Sequence, residues 1–366
     1  MYSSLRTVSF RNLDDAQVDI QGKDVFLVGK NGQGKTNFLE ALYYASYASS
    51  FRGVRDSELI RIGEKSCSVT VKLEAAFNNM LNNEVIVLYK DKKKSIILDN
   101  KRVEDRKELL SIAPCIIFCH EDMEFVAGPP ERRRWFFDQT QSLWDPLYLE
   151  DLRNYRRVLK TRNSLLKKDS PRISPGNTAL LDALDPQLLR YGHELMKKRQ
   201  AESIIFSSIF ESLYHDISGL DNVSIRYAPS WKENNPEIQM EELIKGLEQD
   251  CSLGLTLSGP HRDRYIFTRK SREFTGHAST GQRRLLALLL RIAQAHVFSE
   301  KTGKSPVLLL DDVLLELDGE KRQKFLSLMP SYDQAIFTFL PEEPYEHYRK
   351  EDTIVYHVCE GTLKKV

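Results

Sequence analysis

One eight-residue stretch constrains this chain more than any other part of it. Residues 29–36 are Gly-Lys-Asn-Gly-Gln-Gly-Lys-Thr, which satisfies the pattern G-x-x-x-x-G-K-[ST]. The apolar run DVFLVG before it predicts a buried strand, and Thr36–Tyr47 after it predicts an amphipathic helix. Glycines in such a turn let backbone N–H groups converge on phosphate oxygens, where larger side chains would block the approach. The stretch therefore predicts a nucleotide-binding α/β fold.

Each position of this glycine-rich turn has an expected role. Lys35 would supply positive charge to the β- and γ-phosphates, and the Thr36 hydroxyl would ligate Mg²⁺. A simple strand-to-helix turn would explain Gly29, but not Gly32 and Gly34 together with the lysine. We therefore expect ATP and Mg²⁺ as cofactors. The expected nucleotide-binding residues are Gly29, Lys30, Asn31, Gly32, Gln33, Gly34, Lys35, Thr36 and Asn37.

A second apolar strand, SPVLLLDD at residues 305–312, ends in two carboxylates, as a Mg²⁺-nucleotide site requires. Asp311 would hold the metal through its water shell, and Asp312 would orient the attacking water. Two aspartates at the end of a strand are common and by themselves are weak evidence for a metal site. They become strong evidence because the same chain contains the glycine-rich turn. We expect Lys35 and Asp312 to be catalytic, and Thr36 and Asp311 to ligate the metal.

The spacing of these two motifs predicts the domain organisation. Asp311 lies 276 residues after Lys35 (311 − 35), far more than one β-α-β crossover needs. Before residue 128 the runs CSVTVKLEAAF, EVIVLYK and KSIILDNKRV predict strands of an antiparallel β subdomain, whereas the pattern to about residue 250 is mostly helical. We expect an ATPase lobe in two halves, residues 1–127 and 253–366, and an inserted helical lobe at residues 128–252.

A third phosphate-type element precedes the acidic pair. Ser279, Thr280, Gly281 and Gln282 stand at the start of a strongly apolar helix, where free backbone N–H groups attract anions. Simple capping of the helix by serine or threonine explains the same residues and, taken alone, is preferred. Because this helix start follows the glycine-rich turn and precedes the acidic pair in one chain, we prefer the interpretation that it binds phosphate. The additional nucleotide-binding residues that we expect are therefore Ser279, Gly281 and Gln282.

Six stretches carry a resemblance to a known family, and they span nearly the whole chain. They are FRNL at Phe10–Leu13, GKNGQGKTNFLEALYYASYASSFRG at Gly29–Gly53, GPPERRRWFFD at Gly128–Asp138, LSGPHRDRYIF at Leu257–Phe267, ASTGQRRLLALLLRIA at Ala278–Ala293 and LLLDDVLLELD at Leu308–Asp318. Together they resemble the ABC-type ATPase class that includes the SMC proteins, and within it the RecF family of bacterial replication and repair proteins.

Four positions depart from the family pattern. Leu315 stands where the family usually has serine, which puts the contact of that loop across a dimer in doubt. Arg264 replaces an acidic residue, His120 takes a proline position and Arg283 replaces glutamine. These three departures are expected to be peripheral.

The resemblance implies an ABC-type P-loop head whose ATP lies between the glycine-rich turn of one chain and the Ser279 helix of another. The glycine-rich turn already surrounds the phosphates, so a second anion-binding helix end contributes only if it approaches them from outside, from another chain. We therefore expect an ATP-dependent homodimer. The resemblance further implies a weak DNA-dependent ATPase that binds double-stranded and gapped DNA in the cytoplasm. It also implies RecO- and RecR-type mediators and the RecA recombinase as partners.

One helical stretch offers a candidate DNA-binding surface. Residues 151–172 contain eight basic and two acidic side chains, and Arg153, Arg156, Arg157 and Lys160 fall on one helical face. A solvated helix face explains the same pattern, and the resemblance shifts the interpretation towards phosphate contact. No base-contacting motif is visible, so shape and charge would govern binding. The segment GPHRDR at residues 259–264 could contact phosphate or stiffen the junction between the lobes, and the sequence does not separate these.

Composition limits the remaining possibilities. The formal net charge of +1 indicates no partner, so any nucleic-acid site must be local. No apolar run is long enough to span a membrane, and five cysteines without C-x-x-C spacing predict buried free thiols in a reducing cytoplasm. Two other functions stay open: an ATPase head that energises a transporter or another SMC-like partner, and a scaffold that binds ATP without hydrolysing it.

Overall fold

The computed structural model describes residues 1–74, 83–105, 107–112, 114–168 and 175–366, apart from the side chains of residues 111, 168, 175, 176, 315 and 316. The chain divides into two compact units. Unit 1 contains Met1–Asp122 and Gln294–Val366, and unit 2 contains Met123–Ala293. The predicted α/β framework with a mostly helical insertion is observed.

The strands of the described residues are short, and most belong to unit 1. They are β1 (Tyr2–Val8), β2 (Gln17–Asp19), β3 (Asp24–Val28), β4 (Ser66–Leu73), β5 (Asn83–Lys90), β6 (Lys93–Leu98), β7 (Lys101–Val103), β8 (Cys115–Phe118), β9 (Val223–Ala228), β10 (Arg264–Arg269), β11 (Arg272–Glu273), β12 (Val307–Leu310), β13 (Gln334–Phe339), β14 (Ile354–Cys359) and β15 (Thr362–Lys365).

The long helices of the described residues are concentrated in unit 2. The helices are α1 (Lys35–Tyr47), α2 (Lys107–Ile112), α3 (Met123–Ala127), α4 (Pro130–Ser142), α5 (Pro146–Lys168), α6 (Pro175–Ser218), α7 (Pro236–Lys245), α8 (Leu247–Leu253), α9 (Thr280–Thr302) and α10 (Gly319–Leu328). Proline opens α4, where it is favourable because its missing N–H would have no partner in the first turn of a helix.

The antiparallel sheet of unit 1 has the order β2-β1-β4-β5-β6-β7. The segment KSIILDNKRV, predicted as one strand, instead forms the hairpin β6–β7. Asp99 and Asn100 in its turn have φ angles of 47° and 65°. Asparagine and aspartate tolerate this left-handed conformation, which a two-residue hairpin turn requires, so the single-strand prediction was wrong.

The second sheet of unit 1 positions the predicted nucleotide site. Its order is β15-β14-β3-β13-β12-β8, and all neighbours from β14 to β8 are parallel. Strand β13 therefore lies between β3, which precedes the glycine-rich turn, and β12, which precedes Asp311. Because the carboxyl ends of parallel strands meet at one edge, this order brings the turn and the acidic pair together.

Unit 2 extends further along the chain than the predicted insertion, which ended at residue 252. Strand β10 pairs with β9 over its whole length, from Arg264 opposite Ala228 to Arg269 opposite Val223. These hydrogen bonds join residues 264–269 to the helical insertion. The boundary of the compact unit then falls within α9, between Ala293 and Gln294.

The cysteines are free, and four of them are buried as predicted. Cys359 is exposed, so the prediction of burial was wrong there, because this residue directly precedes the turn of the edge hairpin that β14 forms with β15. Across the described ranges, no helix combines the length and apolarity that a membrane span requires.

Candidate nucleotide site and basic surface

The glycine-rich turn between β3 and α1 has a conformation that only glycine adopts easily. Gly32 and Gly34 have φ angles of 78° and 112°, which side-chain-bearing residues rarely adopt. Gly29 is required for a different reason, because a Cβ there would lie 2.5 Å from the Val358 carbonyl oxygen. The turn is therefore specified at three positions by backbone geometry and close packing.

Lys35 places its charge inside this turn. The side chain is buried, and Nζ donates hydrogen bonds to the carbonyl oxygens of Gly29 at 2.7 Å and Lys30 at 3.4 Å. In the described first turn of α1 there is no acidic side chain to neutralise the helix N-terminus. The ammonium group and the helix dipole therefore both favour an anion at this turn.

Thr36 and Asp311, the two predicted metal ligands, lie in contact. The Thr36 hydroxyl donates to Asp311 Oδ1 at 2.9 Å. Burial, together with the neighbouring charge of Asp312, raises the pKa of the Asp311 carboxyl to about 7. A bound cation would favour the charged carboxylate. The pair fits Mg²⁺, which takes few protein oxygens and fills its other positions with water and phosphate oxygens.

Thr338, near the end of β13, connects the two aspartates and was not predicted. Its hydroxyl accepts the backbone N–H of Asp312 at 2.7 Å and lies 2.8 Å from Asp312 Oδ1 and 3.3 Å from Asp311 Oδ1. Asp312 adopts a φ of 51°, so this support holds an uncommon backbone conformation. In the sequence, this role of Thr338 was indicated only by a single hydroxyl side chain within the apolar run QAIFTFL.

Arg52, which was not among the predicted site residues, adds a second cation. Its Nη1 donates to Asn37 Oδ1 at 3.1 Å and lies 3.5 Å from Glu40 Oε2. Glu40 is fully buried and also accepts two hydrogen bonds from Arg11, at 2.9 and 3.2 Å. Arg11 and Arg52 belong to the FRNL and SSFRG stretches, which were the only sequence signals for this network.

These groups line one cleft of about 200 Å³ in unit 1. The predicted residues around it include most of the glycine-rich turn and one of the two aspartates. The lining is Lys30, Asn31, Gly32, Gly34, Lys35, Thr36, Asn37, Arg52 and Asp312. An arrangement of two buried or half-buried cations, a polar helix start and a carboxylate can bind a polyphosphate and act on its terminal group.

The predicted third element lies in unit 2 at the start of α9. Ser279 Oγ accepts the backbone N–H of Gln282 at 3.2 Å, and Gln282 Oε1 accepts the N–H of Ser279 at 2.8 Å. This reciprocal pair is a capping box. Ser279 and Gly281 are exposed, and a Cβ at Gly281 would have no neighbour within 4 Å. Ser279 therefore caps α9, as the simpler interpretation predicts. The start of the helix is also exposed, so that a ligand can approach it.

The basic face of α5 is exposed as its spacing predicts. Arg153, Arg156, Arg157 and Lys160 are all exposed, while Leu152, Tyr155 and Val158 are buried on the opposite face. Arg156 is partly neutralised by Asp138 at 3.1 Å. One basic residue of the same stretch faces inward: Arg162 is buried and pairs with Asp185 and Asp250 at 2.8 and 2.6 Å.

The GPHRDR segment is partly internal to unit 2. Asp263 is buried and accepts hydrogen bonds from Arg199 Nη1 and the Ser230 N–H, both at 2.8 Å. His261 lies 2.7 Å from the Tyr155 hydroxyl. These contacts fix the two residues within unit 2, whereas Arg262 and Arg264 are exposed. A role of the segment at the junction between the lobes stays a prediction.

The departures from the family pattern have different surroundings. His120 is exposed in a short 3-10 helix, and Arg264 is exposed at the start of β10. Arg283 Nε donates to the Thr275 carbonyl at 3.2 Å. The side chain of Leu315 lies outside the described residues.

Comparison with known proteins identifies relatives along the full chain. The family model described as "RecF/RecN/SMC N terminal domain" matches residues 1–362. The chain is 44% identical over 357 residues to the "DNA replication and repair protein RecF" of Treponema pallidum (strain Nichols), covering 98% of this chain and 99% of that protein.

Solved structures agree with this relationship. The structure described as "the recombination mediator protein RecF-ATP in RecFOR pathway" is similar with a TM-score of 0.90 and 28% identity, covering 100% of this chain and 97% of the other. An Smc head bound to the C-terminal winged-helix domain of ScpA is similar in fold, with a TM-score of 0.55 and 16% identity, covering 100% and 97%.

Proposed function

This chain belongs to the RecF family of DNA replication and repair proteins, and from that membership we propose that it is an ATP-driven, DNA-binding repair protein that acts as a homodimer. The observation that carries the proposal is the 2.9 Å hydrogen bond between Thr36 and Asp311. It joins the glycine-rich turn to the acidic pair in one site, which is the arrangement that a Mg²⁺-nucleotide needs.

Within this site the residues have distinct proposed roles. The loop N–H groups and Lys35 bind the β- and γ-phosphates, and Thr36 and Asp311 would hold Mg²⁺, which neutralises developing phosphate charge when bound. Asp312 orients the attacking water, and Thr338 keeps both carboxylates in place. From family membership we propose that turnover is slow and acts as a switch.

We assign the open helix start at Ser279, Gly281 and Gln282 to the ATP of a second copy. A capping box satisfies some of the first N–H groups of α9, and the remaining ones can donate hydrogen bonds to phosphate oxygens. One chain carries one such helix and one glycine-rich turn. ATP would therefore join two chains through two equivalent sites, and hydrolysis would separate them.

The exposed face of α5 supports the DNA-binding part of the proposal. Arg153, Arg157 and Lys160 present positive charge to solvent, and contacts between such charges and phosphates are independent of base sequence. The substrate would be duplex or gapped DNA. By the description of the similar structure, the context is the RecFOR pathway, in which we propose that this cytoplasmic protein helps RecO- and RecR-type mediators load a RecA-type recombinase.

Size-exclusion chromatography with light scattering tests the proposal directly. The chain would be measured with ATP, with ADP and without nucleotide, each with and without gapped duplex DNA. We expect the protein mass to double from 42.3 kDa only with ATP, and most completely when DNA is present. A mass that does not respond to ATP and DNA would contradict the dimer, and ATP-dependent sedimentation with membranes would favour a transporter-type head.

A further inference from the structure

Gln33, inside the glycine-rich turn, is held by a hairpin at the far end of the chain. Its backbone carbonyl accepts the Gly361 N–H at 2.9 Å, and its side-chain Oε1 accepts the Glu360 N–H at 2.7 Å. Glu360 and Gly361 form the turn between β14 and β15. Both contacts use acceptors of Gln33, so they consume none of the N–H donors of the loop.

The same turn is fitted tightly against the N-terminal segment of unit 1. Its Gly361 carbonyl accepts the Asp14 N–H at 3.2 Å, and a Cβ on Gly361 would lie 1.9 Å from the Asn12 carbonyl oxygen. Gly361 also has a φ of 88°. Asn12 in turn donates from Nδ2 to the Gly32 carbonyl at 3.4 Å. Two segments from opposite ends of the chain therefore brace the glycine-rich turn together.

We propose that the Glu360–Gly361 turn and Gln33 position the glycine-rich turn for phosphate binding before the nucleotide arrives. A loop with glycines at positions 32 and 34 has many accessible conformations, and fixing it on binding would cost affinity. Because the hairpin fixes the loop when the chain folds, the loop does not have to be ordered when ATP binds. The inference rests on the proposed binding of ATP, and it makes the Glu360–Gly361 turn a part of the nucleotide site.

The mild test is Gln33→Met, which keeps the length of the side chain and removes its acceptor. We expect the ATP dissociation constant to rise about fivefold, since one neutral hydrogen bond is lost. KM should rise similarly while kcat at saturating ATP changes less than twofold, and amide hydrogen exchange of residues 29–36 should become faster without nucleotide. The control is Lys364→Ala, an exposed residue of the same hairpin.

The stronger test compares two glycines with left-handed backbone. Gly361→Ala adds both strain and a clash, whereas Gly303→Ala adds strain alone, because its φ is 66° and nothing lies within 4 Å of the new Cβ. We expect Gly361→Ala to weaken ATP binding more than tenfold and Gly303→Ala to leave it near the wild-type value.

The outcomes separate this inference from the proposed function. If the wild-type chain does not bind ATP, the proposed function itself fails. If the wild type binds ATP and Gln33→Met has the same affinity and the same loop exchange, the positioning role is overturned. If Gly361→Ala does not fold, Gln33→Met decides alone.

Discussion

The Thr36 hydroxyl lies 2.9 Å from the Asp311 carboxylate, although 275 residues separate them in the chain. This contact forms because β13 lies between the strands that precede the two residues, and all three strands are parallel. The metal and phosphate parts of the proposed site are therefore assembled only when unit 1 has folded from both ends of the chain.

Lys35→Ala is expected to abolish ATP binding, with a loss of more than 100-fold in affinity. The variant removes the buried charge that faces the β- and γ-phosphates, while the turn keeps its glycines. Equilibrium binding of a fluorescent ATP analogue measures the effect, with Lys364→Ala as a control of equal charge change on the surface. Affinity within threefold of the wild type would remove Lys35 from the site.

Asp312→Asn is expected to keep ATP affinity within about threefold and to lower turnover at least 100-fold, because the carboxylate that orients water is replaced by a neutral amide. The backbone N–H that bonds Thr338 is unchanged in this variant. Single-turnover phosphate release measures the rate. Normal hydrolysis would move the role to Asp311 or a neighbouring group.

Ser279→Arg should leave ATP binding by the monomer intact and abolish ATP-induced dimers, because this residue is assigned to the nucleotide of the partner copy. Ser279→Asp is the sharper variant. Aspartate keeps the N-cap acceptor of α9 but places a negative charge where a phosphate would approach. Light scattering should show both variants as monomers with ATP. Loss of nucleotide affinity by the monomer would instead contradict a two-chain site.

Arg157→Glu combined with Lys160→Glu should weaken duplex binding about equally for unrelated sequences. The salt dependence should also flatten, because each lost phosphate contact removes roughly 0.9 from the log–log slope. Fluorescence anisotropy over a salt series with ATP measures both quantities. The control is Lys232→Glu with Lys245→Glu, two exposed charges elsewhere in unit 2. An unchanged slope and affinity would make the α5 face a solvated surface.

The pH dependence of unit 2 should depend on His261. Burial, aided by the nearby charges of Arg262, Arg134 and Arg199, lowers the pKa of His261 to about 4, against an opposing contribution from the Thr256 carbonyl. At His261 the folded state thus binds fewer protons than the unfolded state. The contribution of His261 to the free energy of unfolding is therefore fully present above pH 6.5 and is lost as pH falls towards 4. Between pH 7.5 and pH 5, the free energy of unfolding is expected to fall by on the order of 2 kcal/mol because of this group.

Urea unfolding followed by tryptophan fluorescence measures this loss, because all three tryptophans, at positions 135, 144 and 231, belong to unit 2. His261→Gln should reduce the difference in unfolding free energy between the two pH values. An equal pH difference in the variant and the wild type would show that another group is responsible.

The local parts of the site could be predicted from sequence because their chemistry is local. Glycines at positions 32 and 34 permit left-handed backbone without help from distant residues, and an apolar run such as VLLL predicts a buried strand from composition alone. The exposed face of α5 likewise follows from the helical period. Turn conformation, strand burial and helix amphipathicity are set mainly by residues within a few positions of one another.

Other parts were decided only by the tertiary structure. Thr338 became a support of the acidic pair because strand order places β13 beside β12, and Arg162 became buried because Asp185 and Asp250 surround it. Gln33 acquired its partners from the last hairpin of the chain. These contacts join residues 23 to 328 positions apart (361 − 33 for Gly361 and Gln33), and hydrogen bonds at such separations leave no periodic pattern in the sequence. They exist only once packing has brought the two segments within about 3 Å, which local propensity does not encode.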